Sequence, residues 1–338
     1  MGAEIIKVDE VELLPAEIVP VDIDRTVSAS TRERIEAAVP VNTKRAYARQ
    51  WETFTAWCST TGRTPLPATA ETVAEYVSSM CDLDRAPATI DQAIAVIRRA
   101  HRDAGLEHQP DTAAARLVLR AYRRQRAESG QRPRQAPPAV IDVVRALVAA
   151  SDPKTDVGLR DCAMIVLGFA MMGRRSELIA LMISDVRETP DGLLVLVRSS
   201  KTDQDATGEE VAIPYGSNAA TCPVRVVRSW LARLADHGII DGPLLRSVNR
   251  HGQIGQGLSG GGANKIIRTA AQRANLPNAE SITMHSLRAG GATSAYKAGA
   301  PISAITRQGR WAPGSPVVLG YIRAVDQWKD NPMAGVGL

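Results

Sequence analysis

Three prolines within nine residues, in Gly130-Gln-Arg-Pro-Arg-Gln-Ala-Pro-Pro138, constrain the fold of this chain more than any other feature. Proline has no backbone N–H and a fixed φ, so neither a helix nor a sheet ladder runs through such a segment. The arginines and glutamines between the prolines keep the stretch in water. An extended, basic linker is therefore expected at 130–138, with a separate domain on either side. The length agrees: 338 residues, 44% of them hydrophobic, can bury more than one core.

From about 30 to 129, apolar residues recur at helical spacing. Tyr47, Trp51, Phe54 and Cys58 share one face of a helix that Asn42 is placed to cap, with Lys44, Arg45 and Arg49 on other faces. Further helices fit 70–81, 88–104 and 112–128. After the linker come helices at 139–151 and 158–172, and then the period changes. Gly192-Leu-Leu-Val-Leu-Val-Arg198 and Glu210-Val-Ala-Ile-Pro214 read as strands around a polar turn, Ser199 to Gly208. Ile183 to Arg187 fits a third strand. Helices resume at 222–236, 262–275, 284–298, 301–308 and 316–324. The expected fold is mainly α with a small antiparallel β-sheet, in two domains, 30–129 and 139–326, flanked by an acidic mobile tail (1–29) and a C-terminal tail (327–338).

Charge is unevenly spread. Residues 1–29 carry Glu4, Asp9, Glu10, Glu12, Glu17, Asp22 and Asp24 against Lys7 and Arg25, a balance of −5. The whole chain is +5, so the remainder is +10. Such a body suits a polyanionic partner. Cys58, Cys81, Cys162 and Cys222 show neither close pairing nor metal-ligand spacing, which points to free thiols in a reducing compartment. No apolar run approaches the roughly 18 residues of a membrane span, and the N-terminus lacks the pattern of a secretion signal. The expectation is a soluble, intracellular protein. The five histidines are scattered without carboxylate or thiol partners at ligand spacing, so no metal site is expected.

The densest chemistry lies in His285-Ser-Leu-Arg288, then Gly309-Arg310-Trp311, then Tyr321. His285 and Arg288 are three apart, one helical turn on the same face. Upstream, Arg174 follows an apolar helix and has Glu177 three residues on to orient it; a surface ion pair is the plain alternative. Lys201 sits at the tip of the hairpin turn, where a lysine is either a solvated side chain or a mobile acid. Trp311 reads as a core residue or as an indole N–H donor. Tyr321 reads as an ordinary half-buried tyrosine or as a nucleophile. Jointly these side chains supply what opening a phosphodiester without a metal requires: a hydroxyl, cations for the non-bridging oxygens and an acid for the leaving oxygen. Gly255-Gln-Gly257-Leu-Ser-Gly260 matches a dinucleotide-loop pattern, but no hydrophobic strand precedes it. It reads as a loop opening a helix, with Ser259 a candidate phosphate contact.

In the first domain Arg116, Arg120, Arg123 and Arg124 recur at helical spacing with no acid among them until Glu128. A solvated face is one reading; a helix laid along phosphates is the other. Thr89, Gln92, Lys44 and Arg45 are candidates for groove contacts.

Taken in order, Arg174, Lys201, His285-x-x-Arg288, Trp311 and Tyr321 resemble the tyrosine recombinase (phage integrase) family, in its compact Cre-like branch. The likeness runs over about residues 35–328 and takes in Asp161 to Leu181, the Cys222-Pro-Val-Arg-Val helix and the run from His285 to Asp326. It implies a two-domain, C-shaped DNA clamp, with a helical, SAM-like core-binding domain and a recombinase catalytic domain. It implies that Arg174, His285 and Arg288 clamp the scissile phosphate and that Trp311 fills a position held by His or Trp. Lys201 would be the acid for the 5′-oxygen, Glu177 the acidic residue beside the first arginine, and Tyr321 the nucleophile that forms a 3′-phosphotyrosine. No cofactor is implied, because the protein–DNA ester conserves the bond energy. The implied partners are double-stranded DNA bearing inverted-repeat sites and three further copies of the chain. The homotetramer would exchange strands on two sites through a Holliday junction, in the cytoplasm of a bacterial host cell, associated with the nucleoid.

Two features limit the likeness. The acidic leader has the wrong charge and length for an arm-binding domain, which favours a simple recombinase. Pro332 and the glycines of the tail make a poor final helix, so the protomer–protomer contact is expected to be a short extended peptide anchored by Trp328 and Met333. Two other readings stay open: a phage or mobile-element integrase that needs an accessory factor, and a non-catalytic DNA-binding architectural protein.

Overall fold

The computed structural model describes residues 26–106, 109–131, 136–198 and 208–329, together with 331, 333 and 336. Most of the acidic leader, part of the linker, and Lys201 with its turn lie outside the described residues. The chain divides into two compact units, Met1–Pro133 and Arg134–Leu338. Both are mainly helical among the described residues, and the second carries two small antiparallel sheets. No helix among the described residues is long and apolar enough to cross a membrane.

The first unit contains α1 (Ala29–Ala37), α2 (Val41–Thr61), α3 (Ala70–Asp82), α4 (Pro87–Asp103) and α5 (Ala113–Glu128). Phe54 and Cys58 of α2 are fully buried, as their helical spacing requires. The Phe54 ring meets Tyr76 of α3 edge-on at 5.0 Å between centroids, and Trp57 lies 5.1 Å from the same tyrosine. Ile90, Ile94 and Ile97 of α4 and Leu119 of α5 complete this core. Buried His101 accepts from the Ala68 N–H at Nε2 (2.8 Å), so its proton sits on Nδ1 and is donated to the Ile97 carbonyl (2.7 Å). Asn42 does not cap α2. The helix begins at Val41 with Pro40 (φ −55°) at the cap position, and Asn42 falls inside the first turn. The preset proline backbone starts the helix without a side-chain cap.

The second unit begins with α6 (Ile141–Ala149), α7 (Asp156–Ala170) and α8 (Arg175–Ile179). Its sheet consists of β1 (Val186–Thr189), β2 (Gly192–Val197) and β3 (Glu209–Pro214); then come α9 (Pro223–Asp236), β4 (Arg246–Val248) and β5 (Ile254–Gly257). It closes with α10 (Gly260–Arg273), α11 (Met284–Lys297), α12 (Ile302–Gln308) and α13 (Pro316–Lys329). Every residue of α7 from Gly158 to Gly168 is buried, so this helix is the axis on which the others pack. Trp230 of α9 is fully buried against it and donates its indole N–H to the Leu244 carbonyl at 2.8 Å. In the three-stranded sheet, order β1-β2-β3, Leu193, Val195 and Val197 alternate into the core, and Val195 and Leu193 pair with Val211 and Ile213.

Two further expectations need correction, and one hairpin escaped the sequence pattern. The strand read at Ile183 to Arg187 starts only at Val186; Ile183–Asp185 is a 3-10 turn in which the Asp185 carboxylate accepts from the Met182 N–H (2.9 Å). The β4–β5 hairpin was not foreseen, because Ile-Gly-Gln-Gly carries one apolar side chain and shows no alternation. The final helix does not stop at 324 but runs to Lys329. Asp326 holds that extra turn by accepting from the Tyr296 hydroxyl at 2.7 Å, and Pro332 lies beyond it. Met333 is exposed, and the Trp328 side chain lies outside the described residues.

Helix α11 approaches two other backbones without any gap. A Cβ at Gly290 would stand 1.9 Å from the Ala139 carbonyl oxygen, and one at Gly291 would stand 2.5 Å from that of Phe169. Gly290→Ala is therefore expected to destabilise the second unit by about 1–3 kcal/mol. Gly261→Ala, in α10 with nothing within 4 Å of the added methyl, should stabilise it by about 0.5–1 kcal/mol. Urea unfolding of the two variants tests the opposite signs.

Candidate active site

Arg174 stands where α7 hands over to α8. The chain leaves α7 at Ala170 and turns through Met172, which has a left-handed φ of 47°. Arg174 then occupies the cap position of α8. Its N–H donates to Glu177 Oε2 (2.8 Å) and its Nη1 to Glu177 Oε1 (2.7 Å), so one carboxylate fixes both ends of the arginine. Glu177 is 1% exposed and Arg174 20%. The adjacent Arg175 is exposed and points toward the start of α10, where its Nε lies 3.0 Å from the position a Cβ on Gly260 would take.

The first turn of α11 is pinned from three sides. Ser286 Oγ accepts from the Thr283 N–H (3.1 Å), Asn264 Oδ1 from the Met284 N–H (3.2 Å), and the Ser286 carbonyl from the Ala139 N–H (2.8 Å). His285 and Arg288 project from this fixed turn. Arg288 is 2% exposed, donates through Nη1 to the Met172 carbonyl, and lies 3.9 Å above the Trp311 ring centroid. Its Nη2 has no partner among the described residues. Burial, with help from neighbouring Arg174, pushes its guanidinium down to about 10, so it stays charged at neutral pH.

Tyr321, on α13, places its hydroxyl 3.0 Å from His285 Nε2. Its ring lies edge-on to Trp311, 6.3 Å between centroids. Desolvation, reinforced by Arg288, lowers the His285 pKa, and desolvation raises that of Tyr321 against the pull of Arg288. At neutral pH the pair is thus an uncharged phenol hydrogen-bonded to a neutral imidazole.

Arg310 belongs to the same cluster and was given no role from sequence. It adopts φ 55°, is 4% exposed, and donates through Nη2 to Glu177 Oε2 (2.7 Å) and through Nη1 to the Gln308 carbonyl (3.0 Å). Its own carbonyl accepts from Arg174 Nη2 at 3.3 Å. A Cβ on Gly309 would stand 1.8 Å from the Trp311 ring, which folds back over the glycine. A charged residue wedged between glycine and tryptophan at a helix end is the signal that could have marked it. Next to it, Gln308 Nε2 bridges the carbonyls of Ala170 (3.0 Å) and Ala212 (3.1 Å), tying α12 to α7 and β3.

Six of the seven residues singled out for chemistry are described, and they converge: Arg174, Glu177, His285, Arg288, Trp311 and Tyr321. Lys201 is outside the described residues. In the first unit, Arg45, Thr89 and Gln92 line one groove between α2 and α4, of about 510 Å³, with Asn42, Arg49 and Arg85. Lys44 is exposed on α2 but does not line it. Arg116, Arg120, Arg123 and Arg124 are all exposed on α5; Arg123 is ion-paired with Asp91, and Arg116 Nε reaches Thr112 Oγ1 (3.4 Å). Ser259 caps α10, accepting from the Gly262 N–H at 3.1 Å.

Known proteins resemble the chain in sequence and in fold. Residues 141–327 match the phage integrase family. An integrase/recombinase xerD homolog from Selenomonas ruminantium is 32% identical over 93% of this chain and 90% of that relative. The recombinase Cre of Escherichia phage P1 is 26% identical over 82% of each. Among solved structures, the XerH site-specific recombinase bound to a palindromic difH substrate superposes with a TM-score of 0.61, covering 93% of this chain and 86% of that one at 13% identity. That likeness is one of fold. The chain belongs to the phage integrase family and is a tyrosine-type recombinase, an enzyme that breaks and rejoins DNA.

Proposed function

We propose that the enzyme is a compact, Cre-like site-specific recombinase in which Tyr321 attacks the scissile phosphate. The observation that carries this is the Tyr321 hydroxyl 3.0 Å from His285 Nε2, beside a buried Arg288 whose Nη2 lacks a partner among the described residues. A buried guanidinium with an unmet donor fits an oxyanion that arrives with the substrate.

In this reading the phenol proton passes to His285 Nε2 as the tyrosine oxygen bonds to phosphorus. The bond from phosphorus to the 5′-oxygen breaks, and that oxygen takes a proton from the Lys201 ammonium. Arg174, Arg288 and the Trp311 indole N–H bear the charge on the non-bridging oxygens, while Glu177 orients Arg174. The product is a 3′-phosphotyrosine and a free 5′-hydroxyl. A 5′-hydroxyl from a partner duplex reverses the step, so the reaction needs no external energy. Arg45, Thr89 and Gln92, grouped in one groove, are the favoured base contacts. Lys44, Arg116, Arg120, Arg124 and Ser259 are assigned to phosphates, with Arg123 held by Asp91 until DNA competes for it. The full assembly is a homotetramer on two inverted-repeat sites, passing through a Holliday junction. The palindromic substrate of the XerH complex supports the inverted repeat. The setting is the cytoplasm and nucleoid of a bacterial cell.

With a nicked duplex recovered by selection from random DNA, the wild type should form a denaturant-resistant protein–DNA adduct and Tyr321→Phe should form none. Equal cleavage by both would refute the assignment. The pH profile of adduct formation has a calculable sign. His285 must be neutral to accept the phenol proton, and its pKa lies below the ordinary 6.5. Activity should therefore persist through 6.5 and fall only at lower pH, and His285→Gln should remove that acid limb. Finally, truncation after Lys329 should leave binding to a single site intact and abolish pairing of two sites in sedimentation, because only the tail beyond α13 is lost.

A further inference from the structure

Arg310 combines two unfavourable conditions that nothing in its local sequence explains. A left-handed φ at a non-glycine residue costs about 1–3 kcal/mol, and its guanidinium is 2% exposed. Its side chain reaches a carboxylate 133 positions earlier in the chain, on the element that carries Arg174. The contacts form a closed ring. Glu177 accepts from Arg310 Nη2 and from the N–H and Nη1 of Arg174, and Arg174 Nη2 donates back to the Arg310 carbonyl.

The ring divides the work between the two arginines. Burial alone would raise the Glu177 pKa, yet the charge of Arg310, with the bonds from Arg174, holds it below the ordinary value. Without Arg310, the Arg174 guanidinium would be the sole cation on a buried carboxylate. Three guanidiniums against one carboxylate leave a cradle of net positive charge; two against one leave much less. Arg310 also stands between Gln308, which clasps α7 and β3, and Trp311, which packs on both Arg288 and Tyr321. It thereby fastens the segment leading to the nucleophile onto the segment holding the first arginine.

We propose that Arg310 is a positioning residue of the cleavage site: it neutralises Glu177, so that Arg174 keeps charge and donors for the scissile phosphate, and it locks the Trp311–Tyr321 segment to Arg174. This rests on the reading of Arg174 and Tyr321 given above.

The test uses Arg310→Gly, since glycine accepts φ 55° without strain, and Arg310→Lys, which keeps the charge. Single-turnover adduct formation on the selected nicked duplex should slow about 100-fold in Arg310→Gly, with affinity for the duplex nearly unchanged. Lysine should recover part of the rate. In a Glu177→Gln background the same glycine substitution should cost far less, because no charge is left to neutralise. The Glu177 carboxyl band, followed by infrared titration, should move to higher pH in Arg310→Gly and be missing from the double variant. A full rate in Arg310→Gly, a cost that simply adds to that of Glu177→Gln, or loss of folding in both Arg310 variants would overturn the proposal. If the wild type forms no adduct, the assignment of Tyr321 fails, and the infrared band still decides the role of Arg310.

Discussion

A carboxylate almost wholly removed from water stays ionised only where cations and donors replace its hydration shell. Glu177 meets that condition with two guanidiniums and a backbone N–H, drawn from segments more than a hundred residues apart. Much of the second unit is arranged around this one charge. The cap of α8, the turn after α7 and the left-handed bend after α12 all converge on it. Removal of one partner would leave the remaining charges less well compensated in a low-dielectric interior.

The phenol–imidazole pair depends on the same interior. Desolvation favours the neutral form of both His285 and Tyr321, which makes their hydrogen bond one between uncharged groups in the resting enzyme. Arg288, beneath them, remains cationic and is stacked on Trp311. The resting site thus holds its positive charge on arginines and keeps the phenol proton on Tyr321.

Where periodicity is strong, the sequence was informative. The apolar faces of α2 and α4 and the alternation of β2 follow from spacing alone, and His285 and Arg288 share a face for the same reason. Failures arose where a tertiary contact, not a pattern, sets the structure. The β4–β5 hairpin lacks alternation because its short strands are largely exposed and have no apolar face to bury. The end of α13 is fixed by a bond from Tyr296, thirty residues away. Asn42 lost its cap position to a proline. Arg310 could not be assigned from spacing, since its partner Glu177 is remote in sequence and its inward course follows from a backbone conformation that sequence does not display.

The glycines of α11 carry a mechanical corollary. With Gly290 and Gly291 seated against the carbonyls of Ala139 and Phe169, that helix has no play to slide or roll, and the guanidinium it bears is as immobile as an anvil. Helix α13, by contrast, is held among the described residues by Val318 and Ile322 and by two side-chain bonds, Tyr296–Asp326 and Tyr321–His285. In the proposed cleavage, whatever travel brings oxygen to phosphorus therefore falls to the hammer side, the helix bearing the phenol.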